Sequence, residues 1–526
     1  MELKKRLRVF ALALVLFSGL ALAKEADFPC KTTNQGLAPE LAKKIESYVK
    51  EKMKSWHSPG LALGIVRAKE GLVYQGYFGW ADIKEKKPIK EDTVFCIGSI
   101  SKTFTAIGLM QQWEKGKFKL NDPVNQYLSF PLIQPRKEGC REVTFLDLFT
   151  HTSGGGELMG WYQLQHPIKT IFVPAQKPRP PLEEVLAGGI RPGVCPGVKF
   201  AYCNYCYAGL GLLLEEISGE RFSEYMEEHI FALLGLELSG FEESEELISH
   251  LAQGYHYQGS LKRFAPSHFF RTAIPPAGGM LSCVRDLSLY LQALLNQGKG
   301  KNGQILKPET LKLMLTPHYQ LDPGLGGIGI CFFITNFSGR NFYGHGGAVP
   351  GFGSQIYFSS ELGLGVVVLC NIMNKAPYEI SAGIVKILLG MEPGAKIAPA
   401  QINEKVAKEF EGYYGSVEPE FLSDFRFNMA TLGAYQIRLK NGKLFLKSLR
   451  PGKKYRLVPV GAEDPYFYQI LVPGTERYRY LIFKPSESGE KQAIWVGLNQ
   501  YIRLDKKQIA RTRLKALGWM FLPAEF

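Results

Sequence analysis

Apolar side chains first recur at helical spacing between residues 39 and 56, where Leu41, Ile45 and Val49 form one stripe and predict an amphipathic helix. Two apolar runs follow, at 61–66 and 72–77, on either side of Lys69-Glu70-Gly71. The glycine allows a tight reversal, so the pair reads as a β-hairpin and the first strands of a sheet. After Val94, Phe95 and Ile97 the period turns helical again, and Phe104, Ile107 and Met110 predict a helix from about Ser99 to Gly116. Asp122-Pro123 marks a turn. Residues 157–200 are rich in proline and glycine and carry little periodicity, which predicts long loops. Helical patterns return at 207–217 and 221–234, and residues 274–298 read as a turn leading into an amphipathic helix.

Gly324, Gly326 and Gly329 spell a Gly-x-Gly-x-x-Gly pattern. A dinucleotide fingerprint needs a helix directly after it, whereas residues 330–335 look like a strand, so a Rossmann site is rejected. Residues 391–402, rich in proline, glycine and alanine, read as a linker. Beyond it short alternating strands run to about Leu504 and predict a small β-barrel or sandwich. The clearest hairpin turns at Asn441-Gly442, where a two-residue loop sets Ile437 opposite Leu446 and Leu439 opposite Leu444 on one apolar face.

A chain of 526 residues exceeds one ordinary core, so two or more domains are expected. Lys4, Lys5, Arg6 and Arg8 precede an apolar run at 9–23 that closes on Ala21-Leu22-Ala23. This reads as a secretory signal cleaved after Ala23, with an uncleaved membrane anchor as the alternative. The run falls short of the ~20 residues a spanning helix needs. All nine cysteines lie beyond that point, enough for four disulfides and one spare thiol in an exported protein. Cys140, Cys195, Cys203 and Cys206 fall in one region, where a bridge could brace the wall of a site. Cys203-x-x-Cys206 has no second pair at zinc spacing and no redox-domain pattern around it, and it reads as structural.

The net charge of +14 is uneven: residues 393–526 hold 22 basic against 13 acidic side chains, whereas 24–392 are nearly neutral. Such a basic unit could meet an anionic envelope polymer or lipid surface, or be a solvated face of mixed charge. No nucleic-acid motif is present, and no nucleic-acid partner is expected.

The candidate chemistry centres on Ser99 and Lys102. Three residues is nearly one helical turn, so the two side chains share a face and the amine can take the hydroxyl proton. At a helix start and in a partly dry site, both the dipole and desolvation disfavour the ammonium form, as a general base requires. The same spacing at Ser47 and Lys50 and at Ser488 and Lys491 lacks the glycine before it and the long apolar helix behind it, and reads as surface coincidence.

With Gly98 in front of Ser99, with Tyr202-Cys203-Asn204 and with His345-Gly346-Gly347 further on, the chain resembles the serine penicillin-recognising hydrolases. Their relevant branch holds class C β-lactamases, D-alanyl-D-alanine carboxypeptidases, D-aminopeptidases and related esterases. The segment Leu148 to Gly154, with His151-Thr152-Ser153, is similar to one that packs under the site in that family. His151 therefore reads as a hydrogen-bonded structural residue, since Lys102 already fills the role of base. Gly154 to Gly156 lack the Lys-Ser/Thr that a phosphate loop needs.

The resemblance implies an α/β (α+β) β-lactamase-like domain, an antiparallel sheet flanked by helices with a helical subdomain, over residues 24–392. Residues 393–526 would then form a lipocalin-like all-β domain. It implies Ser99 as nucleophile, Lys102 and Tyr202 as proton carriers, and Asn204 bonding both Lys102 and the substrate amide. His345 stands where β-lactamases carry the lysine of Lys-Thr-Gly, and a mostly neutral imidazole cannot give the permanent charge that grips a carboxylate. Gly347 is expected to let substrate backbone lie along the strand, and the N–H groups of Ser99 and Ala348 to form the oxyanion hole. The long loops at 157–200 would cover the mouth of the site.

No cofactor or metal is called for. The expected activity is hydrolysis through an acyl-enzyme, first on D-amino-acid or peptidoglycan-type peptides, then on β-lactams, then on esters. A non-catalytic envelope-binding protein would be expected to lack nucleophile or base, and neither is missing.

Overall fold

In the computed structural model the described residues are 28–134, 139–155, 173–174, 177–269, 271–394, 401–416, 435–448, 454–460, 464–472, 475–476, 479–485, 492–505 and 508–509. The leader at 1–23 and much of 157–200 lie outside them. Among the described residues no helix is long and apolar enough to cross a membrane.

The predicted first helix is α1, Pro39–Ser55, and the predicted hairpin is β2, Gly60–Arg67, with β3, Gly71–Asp82. With β1, Cys30–Asn34, and four later strands they build one antiparallel sheet. The later strands are β4, Phe333–Phe337, β5, Arg340–Val349, β6, Phe352–Ser359, and β7, Leu364–Cys370. The order is β1-β3-β2-β7-β6-β5-β4, extended by the two-residue strands Gly327–Ile328 beyond β4 and Lys87–Pro88 beside β3. β4 starts later than the apolar run at 330–335 suggests, because Ile330, Cys331 and Phe332 are spent in the core.

Both sheet faces are covered, which is why the central strands read as apolar runs. Along β2, Ala62 and Val66 point into a core shared with α2, Ser101–Glu114, α3, Asn204–Ser218, and α4, Val284–Leu295. Leu61, Leu63 and Ile65 point the other way, against α1 and α5, Ala376–Leu388. The helical pattern at 221–234 is one helical stretch with a π-type turn at Glu227–Phe231.

Eight further strands form a closed barrel: β8, Gly412–Ser416, β9, Tyr435–Lys440, β10, Lys443–Ser448, β11, Lys454–Pro459, β12, Phe467–Leu471, β13, Arg479–Lys484, β14, Ala493–Val496, and β15, Asn499–Arg503. Asn441 and Gly442 both have positive φ, as a type I′ turn requires, and Ile437 faces Leu446 while Leu439 faces Leu444. Tyr414, Tyr468, Phe483 and Tyr501 meet Leu444, Leu457 and Leu481 inside the barrel.

Glu476, between β12 and β13, is a buried contact of the barrel with the sheet-and-helix unit. Its carboxylate lies 3.2 Å from Lys386 of α5 and 3.6 Å from Lys52 of α1, and accepts from the Gly394 N–H at 2.6 Å. Its own N–H donates to Glu379 of α5. Losing one partner of such a buried set strands the others without compensation. Glu476→Ala is expected to lower unfolding stability by about 3 kcal/mol, and Glu476→Gln by less. Denaturant unfolding that gives both variants the wild-type midpoint would remove the contact's structural importance.

Candidate active site

The residues from Phe95 to Lys102 fold as a short strand, a 3₁₀ turn at Gly98–Ile100 and the start of α2. Ser99 therefore sits in the turn that feeds the helix, and Lys102 is the helix's second residue. Gly98 has φ +53°, and a Cβ there would lie 2.7 Å from the Ala348 N atom, so glycine is what lets β5 approach Ser99. The turn is pinned from within by Ser101, whose Oγ donates to Gly98 O at 2.6 Å and accepts from the Met280 N–H at 3.0 Å.

Lys102 is fully buried, so its amino group must find acceptors inside the protein. It lies 3.0 Å from Ser99 Oγ and 2.5 Å from Asn204 Oδ1, and it donates to the carbonyl of Ala277. The rings of Tyr202 and Tyr207 lie 5.0 and 5.6 Å away, at cation–π range. Ala277 belongs to the helical turn Pro275–Gly278, which Thr105 fixes by donating to Pro276 O at 2.8 Å.

Asn204 opens α3, three residues before the helical pattern begins in the sequence, because Cys203 caps the helix: its Sγ accepts from the Cys206 N–H. Cysteine is not among the usual capping residues, which hid this start. Two disulfides are present, Cys140–Cys195 and Cys203–Cys206, and the other five cysteines are free. The first ties the 139–155 segment to the loop before Tyr202.

Tyr202 stacks on His151, with ring centroids 4.2 Å apart. His151 is fully buried with left-handed backbone, φ +58°. Its carbonyl accepts from the Ala201 N–H at 2.7 Å and its Nδ1 from the Cys203 N–H at 3.0 Å. A ring that accepts at Nδ1 carries its proton on Nε2 and is neutral. Burial first, with Lys102 nearby, holds its pKa well below 6.5.

His345 on β5 is also buried and neutral, but in the opposite tautomer. Nδ1 donates to Gly346 O at 2.7 Å, leaving the Nε2 lone pair with no hydrogen-bond partner among the described residues. Burial and the Lys102 charge, against the Gly346 carbonyl, push its pKa down to about 3. Its ring lies 5.1 Å from Phe333 and 6.3 Å from Tyr202.

Gly347 packs directly on the turn that carries Ser99. The space its side chain would fill is occupied by the protein, since a Cβ there would lie 1.9 Å from Ile97 O, so its bareness lets β5 press onto the Ser99 turn. Its carbonyl accepts from Tyr378 of α5 at 2.9 Å, and Ser354 donates to Ile97 O at 2.7 Å. Ala348, one residue on, is exposed with its N atom beside Gly98.

Ser99, Lys102, Tyr202, Asn204, His345 and Ala348 thus converge on one place. Ala277, Ser101, Ser354 and Tyr378 also serve it and carried no sequence signal of a role. Only the prolines before Ala277 and the turn they imply could have drawn notice.

The Beta-lactamase family profile matches residues 45–390. A chain of Bacillus subtilis (strain 168), provisionally named penicillin-binding protein PbpX, is 29% identical over 355 residues, 67% of this chain and 78% of that one. A "Beta-lactamase" of Pseudomonas fluorescens is 25% identical over 365 residues, 64% of this chain and 94% of that one. The octameric penicillin-binding protein homologue from Pyrococcus abyssi superposes with a TM-score of 0.57 at 25% identity, covering 88% of this chain and 99% of its own.

The buried imidazoles give a sign-determined pH effect. Below about pH 6.5 the unfolded chain protonates His345 while the folded one does not until about pH 3, so stability falls as pH drops through that window. His151 adds a loss of the same sign. Each contributes up to about 1.4 kcal/mol per pH unit. Denaturation midpoints measured from pH 4 to 8 should show a shallower slope for His345→Gln, and an unchanged slope would contradict the assignment.

Proposed function

The chain belongs to the beta-lactamase family of serine hydrolases, and from that premise we propose that it is an exported acyl-hydrolase working through a covalent ester on Ser99. The observation that carries this reading is the 3.0 Å contact between Ser99 Oγ and Lys102 Nζ. In its neutral form the Lys102 amine takes the hydroxyl proton as Ser99 attacks the carbonyl carbon. The oxygen that becomes negative is met by the N–H groups of Ser99 and Ala348, each worth ~3 kcal/mol in the transition state. Tyr202 and Lys102 return the proton to the leaving group and later take one from the water that splits the ester. Asn204 holds Lys102 and presents its amide N–H₂ to the substrate.

His345 favours peptides on the substrate side. As a neutral group it offers no charge for a carboxylate and suits a substrate end without one, such as a D-amino-acid amide. Hydrolysis of β-lactams is the second reading, supported by the Pseudomonas fluorescens relative that this chain matches over nearly its whole length. Esters are the third. Two disulfides fit an oxidising compartment and support the leader at 1–23. The basic barrel would serve contact with an anionic envelope surface.

Ser99→Ala should abolish covalent labelling by a fluorescent penicillin or a fluorophosphonate, and equal labelling of both proteins would refute the nucleophile. Lys102→Ala and Tyr202→Phe should each lower kcat by about 10² to 10⁴-fold. Among D-amino-acid amides, D-Ala-D-Ala peptides, nitrocefin and p-nitrophenyl esters, the amides should turn over best, ahead of the carboxylate-ended peptides. Rapid nitrocefin hydrolysis without peptidase activity would reverse that order.

A further inference from the structure

Tyr202 and Asn204 must point to different partners from positions two apart in the chain, Tyr202 to its stack on His151 and Asn204 to Lys102. Between them stands Cys203, fully buried and held three ways. Its N–H donates to His151 Nδ1 at 3.0 Å, its Sγ is bonded to Cys206, and the same Sγ accepts from the Cys206 N–H at 3.0 Å. Cys206 in turn has Ser153 Oγ 3.4 Å from its sulfur, and Ser153 lies two residues after His151. The first turn of α3 is thus closed covalently and joined at both cysteines to the 151–153 segment.

We propose that the Cys203–Cys206 disulfide is a positioning element for acyl transfer, fixing the Tyr202 ring and the Asn204 amide relative to Lys102 so that proton movement is confined to one geometry. This rests on the assignment of Ser99, Lys102 and Tyr202 as the reacting groups. A helix normally starts from a side-chain cap that can rotate away and fray. Here the cap is a covalent loop four residues long that contains Asn204, so the residue facing Lys102 cannot fray without breaking a bond. The sulfurs touch no reacting atom, and their effect passes through Tyr202 and Asn204.

The test compares full-length wild type with Cys203→Ala/Cys206→Ala, and with Cys140→Ser/Cys195→Ser as a control for loss of a disulfide elsewhere in the same wall. Hydrolysis of a p-nitrophenyl ester is followed against pH, alongside the rate of Ser99 labelling by a fluorophosphonate. In the first variant kcat should fall about ten- to hundred-fold, as small misplacements of catalytic groups do, with KM changed less than about threefold. Its acid limb should move to lower pH, because a displaced Asn204 no longer offers the carbonyl that favours the ammonium form of Lys102. The control should keep the wild-type profile.

A folded double variant with wild-type kcat and pH profile would overturn the proposal, as would an identical change in the control. If the double variant does not fold, Cys206→Ser, which leaves the Cys203 N–H on His151, undergoes the same measurements with the same readings. Failure of the underlying assignment is seen separately, as labelling that survives Ser99→Ala.

Discussion

The structure depends on satisfying one buried amine. Lys102 has no exposure to water, and an unpaired amino group in such a place would cost several kcal/mol. Ser99, Asn204 and Ala277 meet that demand from three segments far apart in the chain. A 3₁₀ turn, a helix start and a proline-bounded turn are each held at hydrogen-bond distance from one nitrogen. The contacts that make the amine tolerable are the ones that bring Ser99, Lys102 and Asn204 together, so folding and assembly of the site are one requirement.

What could be read in advance was whatever local periodicity or loop length determines. Leu41, Ile45 and Val49 define a face within α1, and Asn441-Gly442 admits one register, which Ile437 and Leu446 follow. Ser99 and Lys102 were legible because helical spacing alone makes them neighbours. Ala277 acts through its backbone carbonyl, which no side-chain pattern can announce. Asn204 starts its helix early because a disulfide-bonded cysteine does the work of a serine or aspartate. Whether the last strands make a barrel or a sandwich turns on β8 pairing with β15, Tyr414 against Arg503, a closure between the ends of that unit that alternation along single strands does not encode.

Helix α5 joins the two units to the site. Lys386 and Glu379 hold the barrel's Glu476, and Tyr378, one position before Glu379, donates to Gly347 O on the strand beside Ser99. The two histidines show how neighbouring residues of one type are set apart by their bonds. His151 accepts from a backbone N–H and His345 donates to a backbone carbonyl, so the first exposes a proton and the second a lone pair on the remaining nitrogen. Neither is a spare base: both are kept uncharged by the desolvation that also surrounds Lys102.

The backbone contact between Ile97 and Gly347 has a consequence for how such a site can diversify. Where two main chains rest directly on one another there is no side chain left to trim or enlarge, and the half of the cleft that holds the serine hydroxyl and the amide of Ala348 is closed to gradual remodelling. Any change in the shape of the surroundings of Ser99 has to come from residues other than this pair of main chains. The stretch around Ser99 is thereby fixed by main-chain packing, and variation is left to side chains that do not take part in it.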